Sequence, residues 1–520
     1  MSRTDQPSRQ PQASKQKISR QEASRQKTSR QKTSRQKISR QIAFEALRAI
    51  DRGAFADVVL NKKFSQSRLS SQDKGLVTEL VYGTVRRRRS LDALIDQYGK
   101  RPANKQPADL REILRLGFYQ LRYLKKIPDR AVVDTSVQLA KAQRLGKLSG
   151  VVNGMLRQYI RDTERDAERN TAEQNTTDGS DPLKLPDNAT ERLGILHSYP
   201  DWIIRVWQSM LPDPEVAELC EWFNQPPSVD LRVNLRRHSL DEAEAIFAAA
   251  GIKAARVKGV PSALRLQGHN GAISQLPGYN EGWWAVQDSS AQLVACLLDP
   301  QPGETIVDAC GAPGGKSLHI AELMGDEGTV LSCDRTASRT KKIQQNIDRL
   351  GTKSVRPLMC DSRNQPTFAN QADRVLLDVP CSGLGTLNRH ADARWRQTPE
   401  SVDGLVTLQK ELLSHVSTWV KPCGVMVYAT CTLHPEENEE QIQWFLSEHE
   451  GWEIASPPPD FGLSATEEGW IKVWSHRQQM DGFFMVKLRR SSIDKFRESR
   501  GIAATQMSTD EIMSLTRERA

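Results

Sequence analysis

Residues 304–323 read E-T-I-V-D-A-C-G-A-P-G-G-K-S-L-H-I-A-E-L. A short β-branched run ends in Asp308, passes through a glycine-rich turn and enters a helical stretch, which is the opening unit of an open α/β sheet that binds its ligand at the strand ends. Glycines there let the backbone approach a ligand, and the free N–H groups at the helix start can meet an anion or carboxylate. The turn does not fit a P-loop. Gly315, Lys316 and Ser317 match the end of G-x-x-x-x-G-K-[ST], but Cys310 stands where the first glycine belongs. The dinucleotide pattern G-x-G-x-x-G is not met either, so nucleoside triphosphates and nicotinamide cofactors are disfavoured.

Beyond this unit, β-branched runs alternate with helical stretches. Strands are expected at Thr305–Cys310, Gly328–Asp334, Val355–Asp361, Arg374–Val379, Gly424–Thr430 and Phe483–Leu488, and helices at Lys316–Leu323, Ser338–Leu350, Val402–Val420 and Glu436–Glu448. That alternation predicts a doubly wound, mostly parallel sheet covered on both faces. Asp308, Asp334, Asp361 and Asp378 all fall at strand ends, where any one of them could be a turn former or helix cap. Asp334 stands 23 residues after Gly311, placed to accept hydrogen bonds from ribose hydroxyls. Asp361 can receive the exocyclic amine of adenine, and Asp378 ends the next strand. Together they describe a nucleoside site without a phosphate tail, for which S-adenosylmethionine is the expected cofactor.

Two cysteines follow strand ends: Cys381 in D-V-P-C-S-G and Cys431 in A-T-C-T. For Cys220, Cys296, Cys333, Cys360 and Cys423 ordinary burial is expected. Cys431 with His434 is the one obvious ligand pair, too few for zinc, so no metal is expected. A methyl donor next to two thiols points to carbon methylation. Carbon 5 of a pyrimidine has no lone pair, but a thiolate added at carbon 6 makes carbon 5 nucleophilic. An acid near ring nitrogen 3 and a base for the carbon-5 proton complete that chemistry.

The N-terminal half differs. Residues 1–41 carry 12 Lys/Arg against 2 Asp/Glu, whereas the remainder is nearly neutral, so the net charge of +9 says little about the folded part. From Lys17 to Gln41 five-residue units repeat, three reading K-T-S-R-Q, K-T-S-R-Q and K-I-S-R-Q, and this arm is expected to be disordered: a solubilising tail, an RNA arm or a targeting signal. Leu110, Ile113, Leu114, Gly117, Phe118 and Leu121 share one helical face, as do Val152, Met155, Leu156 and Ile160, and Ser70 with Asp73 marks a helix start. Residues 42–161 are therefore expected to be all-helical. Asp162 to Pro182, with seven acidic residues, is expected to be a solvated linker and domain boundary. Arg86 to Arg89 offers a candidate RNA contact, since four like charges repel unless something anionic is near. No stretch approaches the ~18 apolar residues of a membrane span. All eight cysteines lie between Cys220 and Cys431 without a C-x-x-C, which points to a cytoplasmic compartment.

The motifs D-A-C-G-A-P-G-G-K (308–316), D-V-P-C-S-G (378–383), Y-A-T-C-T-L-H-P-E-E-N-E (428–439) and D-G-F-F-M (481–485) resemble the RNA cytosine-5 methyltransferases of the NOL1/NOP2/Sun group. S-S-Q-D-K-G-L-V-T-E-L-V-Y-G-T-V-R (70–86) and V-V-N-G-M-L-R (151–157) resemble the NusB-like domain. The resemblance covers residues 42–490. It implies an all-α NusB-like domain at 42–161, a linker at 162–188, an α+β connecting RNA-recognition region at 189–300, an α/β Rossmann-like class I methyltransferase domain at 301–490 and a tail at 491–520. It implies that Cys431 is the nucleophile, that Cys381 assists release of the methylated RNA, and that Asp378 reaches the cytosine. Cys310, Gly311, Ala312, Pro313, Gly314, Gly315, Lys316, Asp334, Asp361 and Asp378 would line the cofactor, with Lys316 lowering a thiol pKa or orienting the ligand. Gly311 replaces the family's usual alanine and Thr432 its usual serine. The implied substrate is 16S rRNA and the expected state a monomer.

Arg232 and Arg236 in L-R-V-N-L-R-R (231–237) are candidate phosphate contacts, and Arg389, His390, Arg394 and Arg396 around Trp395 a candidate RNA-stacking loop. A tRNA-directed enzyme of the same chemistry is the near alternative, and the NusB-like domain favours rRNA. A non-catalytic assembly or antitermination factor would not need two strand-end thiols, and a thiol redox protein would need a closely spaced pair.

Overall fold

The computed structural model describes residues 37–172, 181–268 and 271–492. Two compact units divide between Ile204 and Arg205. No helix among the described residues is long and apolar enough to cross a membrane.

The first unit is helical, as its apolar spacing predicts. Ser70 caps the helix Ser71–Arg86 by accepting from the Asp73 amide at 3.2 Å. Helix Ala108–Tyr123 buries Leu110, Ile113, Leu114, Phe118 and Leu121. The helix Ser149–Ala172 buries Val152, Met155 and Leu156. These two helices approach closely at Gly117, where an added Cβ would stand 2.9 Å from Leu156.

Three expectations need correction here. The last repeat unit, K-I-S-R-Q at 37–41, belongs to a helix over 37–51, with Ser39 and Arg40 buried. Arg40 donates to Gln120 at 2.7 Å, so this unit reads as domain and not as arm. Residues 1–36 lie outside the described residues, as do 493–520. Second, helix Ser149–Ala172 runs well past Asp162, and residues 181–188 return to this unit through an Arg122–Asp181 pair and a buried Leu183. The compact units therefore divide at 204/205, beyond the acidic stretch; residues 173–180 lie outside the described residues. Third, the arginine run is absorbed internally: Arg86 is buried, Arg87 lies over the Tyr123 ring, Arg88 pairs with Asp51, and Arg89 bonds Asp201 and the Tyr199 carbonyl. The anions that relieve its repulsion come from the protein.

The second unit carries two sheets. Strands β1 (Val229–Val233), β2 (Lys253–Arg256), β3 (Ala263–Gln267) and β4 (Trp284–Val286) form an antiparallel sheet in the order β2-β3-β1-β4. With helix Leu240–Ala249 this is the expected α+β region. The main sheet holds β5 (Thr305–Asp308), β6 (Thr329–Asp334), β7 (Val355–Met359), β8 (Ala372–Asp378), β9 (Val420–Thr430), β10 (Trp452–Ile454), β11 (Ile471–Val473) and β12 (Phe483–Arg490). Its order is β10-β12-β9-β8-β5-β6-β7, with β11 beside β12. The five strands from β5 to β9 pair in parallel, and β12 turns antiparallel to β9, so the sheet is mixed. The order reverses between β5 and β8, which opens a crevice at their carboxyl ends.

The candidate phosphate contact Arg232 is also corrected. Its side chain is fully buried, paired in two-pronged fashion with Glu322 at 2.8 Å and donating to Gln287 and, at 2.7 Å, to the Gly315 carbonyl. It grips helix Gly315–Leu323 at both ends and so fixes the glycine turn from below. Arg236 stays at the surface beside Asp326.

Arg232→Met should leave the Glu322 carboxylate buried without its partner and cost about 3–5 kcal/mol in chemical denaturation of the full chain. Arg232→Met with Glu322→Leu should recover most of that loss, which a phosphate-contact role for Arg232 would not produce.

Candidate active site

The crevice is lined by the ends of all five parallel strands: Ala309, Cys310 and Ala312 after β5, Asp334 on β6, Cys360, Asp361 and Ser362 after β7, Asp378, Pro380 and Cys381 at β8, and Cys431 after β9. Seven residues singled out from sequence thus share one cleft: Cys310, Ala312, Asp334, Asp361, Asp378, Cys381 and Cys431. Gly311, Pro313, Gly314 and Gly315 shape the turn beneath it. The Gly311 amide donates to Cys333 O at 2.7 Å, and an added Cβ would stand 2.3 Å from Ser332 Oγ. Gly314 has φ +102°, a conformation glycine adopts without strain.

The four aspartates separate into different roles. Asp308 is buried under the turn, accepting from Ser317 at 2.5 Å, and burial raises its pKa to about 6. It is structural. Asp334 accepts the Thr336 amide at 2.8 Å and pairs with Arg339 at 3.2 Å on the cleft wall. Asp361 carries Arg363 at 2.7 Å, and that side-chain bond holds its pKa at about 2. Asp378 pairs with Lys316 at 2.6 Å. Burial works against charge on Lys316, but Asp378 outweighs it and the ammonium is held cationic, with Cys431 also near.

These donors and acceptors fit a nucleoside with hydroxyl and amine donors. Carboxylates of Asp334, Asp361 and Asp378 provide acceptors, while Ala309, Val379, Leu408 and Leu412 provide apolar wall for a flat base. Two of the three arginines that line the cleft are engaged by the protein: Arg339 also donates to the Ala312 carbonyl, and Arg363 also pairs with Glu411.

At one end of the cleft the sulfurs of Cys381 and Cys431 stand 3.3 Å apart. The hydrogen bond to Cys431, together with burial, pushes the Cys381 thiol well up. Burial and the surrounding aspartates raise Cys310 as well, which argues against a reactive role for it. All eight cysteines are free, and no cluster able to hold a metal ion occurs among the described residues.

Sequence reasoning missed the polar network behind the thiols. Glu437 is fully buried and accepts the Ser382 amide at 2.8 Å, the Ser382 hydroxyl, and Gln409 at 3.0 Å. Ser382 Oγ meets Thr432 Oγ1 at 2.8 Å. Asn438 accepts from Thr430 at 2.5 Å and donates to Thr432 O at 3.0 Å. The signal lay in the E-E-N of residues 436–438, six residues beyond Cys431, where burial is invisible to local pattern. Gly385 and Gly482 also touch: Gly482 N donates to Gly385 O at 2.7 Å, and Gly385 N to Cys431 O at 3.0 Å.

The candidate stacking loop is mostly structural. Arg394 is fully buried against Asn224 and the carbonyls of Phe223 and Leu387. Arg389 is clamped by Asp481 at 2.6 Å and Asp288 at 2.7 Å. Arg396 pairs with Asp392 at 3.3 Å.

Comparison with known proteins assigns three successive regions of the chain. A family model described as 16S rRNA methyltransferase RsmB/F matches residues 295–489, the NusB family model matches 37–161, and an RsmF/B-like ferredoxin-like domain matches 199–272. The chain is 45% identical over 460 residues to a probable ribosomal RNA small subunit methyltransferase B of Synechocystis sp., spanning 87% of this chain and 99% of that protein. It is 33% identical to the probable ribosomal RNA small subunit methyltransferase B of Bacillus subtilis, over 86% and 98% of the two chains. Among solved structures, that of PH0851 aligns with a TM-score of 0.70 at 25% identity over 87% of this chain and 99% of its own. A methyltransferase homolog protein from Pyrococcus horikoshii gives 0.52 at 27% identity, over 59% and 100%.

The sulfur contact has a direct consequence. Diamide, a mild two-electron oxidant, should join Cys381 to Cys431 as the two thiols give up two protons and two electrons. Non-reducing peptide mapping should show that crosslink, dithiothreitol should reverse it, and Cys381→Ser should abolish it.

Proposed function

The chain belongs to the RsmB/F family of 16S rRNA methyltransferases, and on that premise we propose that it methylates carbon 5 of one cytosine in 16S rRNA through a covalent bond between Cys431 and the base. The observation that carries this reading is the contact of two thiols beside the Lys316–Asp378 pair at the end of a nucleoside-sized cleft.

S-adenosylmethionine, when bound, supplies an electrophilic methyl group. Asp334 would hold the ribose hydroxyls and Asp361 the adenine amine, and Leu408 and Leu412 would provide apolar wall for the base. The chain's own residues do the rest. Cys431 sulfur bonds to carbon 6 of the cytosine, and the carbon 5–carbon 6 π pair moves to carbon 5, which then takes the methyl as the methyl–sulfur bond of the donor breaks and leaves a neutral thioether. Asp378 would face the ring-nitrogen edge, and the Lys316 ammonium beside it would offset the negative charge that develops there. Loss of the carbon-5 proton to a base restores the double bond and expels Cys431 sulfur. Cys381, 3.3 Å from Cys431, is placed to assist release of the departing sulfur.

The cytosine must stand unpaired or be extruded to reach the sulfur, which costs least at a loop. The NusB-like domain favours rRNA over tRNA. Eight unbridged cysteines fit a reducing, cytoplasmic compartment, and the reading treats a monomer as the working state.

With labelled methyl donor and unmodified 16S rRNA, base-resolution mapping should find one 5-methylcytosine. Label confined to tRNA, or to a ring nitrogen, would overturn the assignment. Cys431→Ser should lower turnover by on the order of 10³-fold or more. Cys381→Ala should instead accumulate a protein–RNA adduct that survives denaturing electrophoresis.

A further inference from the structure

The two cysteine turns come from different strands, 50 residues apart in sequence, yet their sulfurs touch. One backbone bond, Gly385 N to Cys431 O at 3.0 Å, ties the loops beyond the sulfurs, and a side-chain contact ties them beside the sulfurs. That contact lies one residue further along each turn: Ser382 follows Cys381, Thr432 follows Cys431, and their hydroxyls bond each other at 2.8 Å. Glu437 closes the arrangement from behind. Its carboxyl accepts the Ser382 amide and hydroxyl on one side and Gln409 on the other, while its carbonyl accepts Tyr428 Oη at 2.7 Å from β9. A carboxyl buried this deeply is costly unless its acceptor positions are filled, and here they are filled by the turn that carries Cys381.

We propose that Glu437 is a positioning residue that locks the Cys381 turn onto the Cys431 turn and makes the two thiols act as one unit with a fixed donor and a fixed nucleophile. The inference rests on the reading of Cys431 as nucleophile and extends it. Electrostatics point the same way. The titratable groups that face Cys381 are Cys431, Glu437 and Asp378, and all three oppose its ionisation. Lys316 faces Cys431 and Asp378. The same contacts that seat Cys381 against Cys431 therefore push the Cys381 thiol up.

Glu437→Gln keeps the shape and removes both the charge and one acceptor. Alkylation of the RNA-free protein with iodoacetamide, resolved by peptide mass spectrometry across pH 6–10, should favour Cys431 over Cys381 in the wild type, and Glu437→Gln should cut that preference by about threefold or more. Turnover on 16S rRNA should fall about tenfold or more, with KM for RNA within about twofold of wild type. Ser382→Ala, which leaves the carboxyl in place and removes only the hydroxyl bridge, should show the same changes at smaller size and serves if Glu437→Gln does not fold. Unchanged alkylation preference and unchanged turnover in whichever of these variants folds would overturn the proposal. Because the alkylation test contains no RNA, it separates failure of this inference from failure of the nucleophile assignment, which Cys431→Ser decides.

Discussion

The site depends on the parallel pairing of β8 with β9. In that register Asp378 stands opposite Ala429, so the loops that leave the two strands begin side by side at the same edge of the sheet. Cys381 follows Asp378 by three residues and Cys431 follows Ala429 by two. A one-residue slip would turn one loop away from the other and separate the sulfurs, since side chains alternate faces along a strand. Pairing of β5 with both β6 and β8 then brings the glycine turn and the aspartate of β6 to the same edge. Cofactor cleft and thiols are neighbours because the sheet's order reverses between β5 and β8, not because they are close in the chain.

Much of this was legible in sequence for a physical reason. A strand that ends in a ligand-facing residue and turns at glycine into a helix announces itself locally, so β5 to β9, their helices and the seven cleft residues could be placed without coordinates. The end of the main sheet was less legible. β10 and β11 are three residues each and carry no usable periodicity, and the antiparallel direction of β12 depends on the path of the intervening chain.

Charged residues were the least legible. Arg232, Arg389 and Arg394 looked like RNA contacts because their acidic or carbonyl partners lie far away in sequence: Glu322 is 90 residues from Arg232, Asp481 92 from Arg389, and the Asn224 acceptor 170 from Arg394. Local pattern cannot reveal such partners. Glu437 was overlooked for the converse reason, since an acidic residue in an E-E-N run reads as a solvated helix start. The same blindness affects K-I-S-R-Q at 37–41: as the last of several repeats it belongs to the arm by composition, but Arg40 finds Gln120 and becomes part of the helical core.

Buried ion pairs of this kind contribute little net stability, because desolvation offsets most of their attraction; their gain is geometric. Arg389 shows what the geometry is for. It leaves the loop that follows Cys381 and donates to Asp481 just before β12, to Asp288 just before helix Ser289–Leu298, and at 2.8 Å to the Ser228 carbonyl just before β1. One guanidinium therefore fixes three segments against the loop whose other end carries Cys381. Burial and the neighbouring Asp288 raise Asp481 to about 7, while Arg389 works in the opposite direction. Two acids on one arginine form a cluster that tolerates no displacement without stranding a charge. Arg232, which holds the glycine turn from beneath, acts on the cofactor side in the same way. Each arginine sits one layer behind an element of the cleft, and neither touches its contents. On the chemistry proposed above, the alignment of a methyl donor, a ring carbon and two sulfurs gains more from such fixed supports than from added cations at the cleft itself, where strong charge would compete for the carboxylates of Asp334, Asp361 and Asp378.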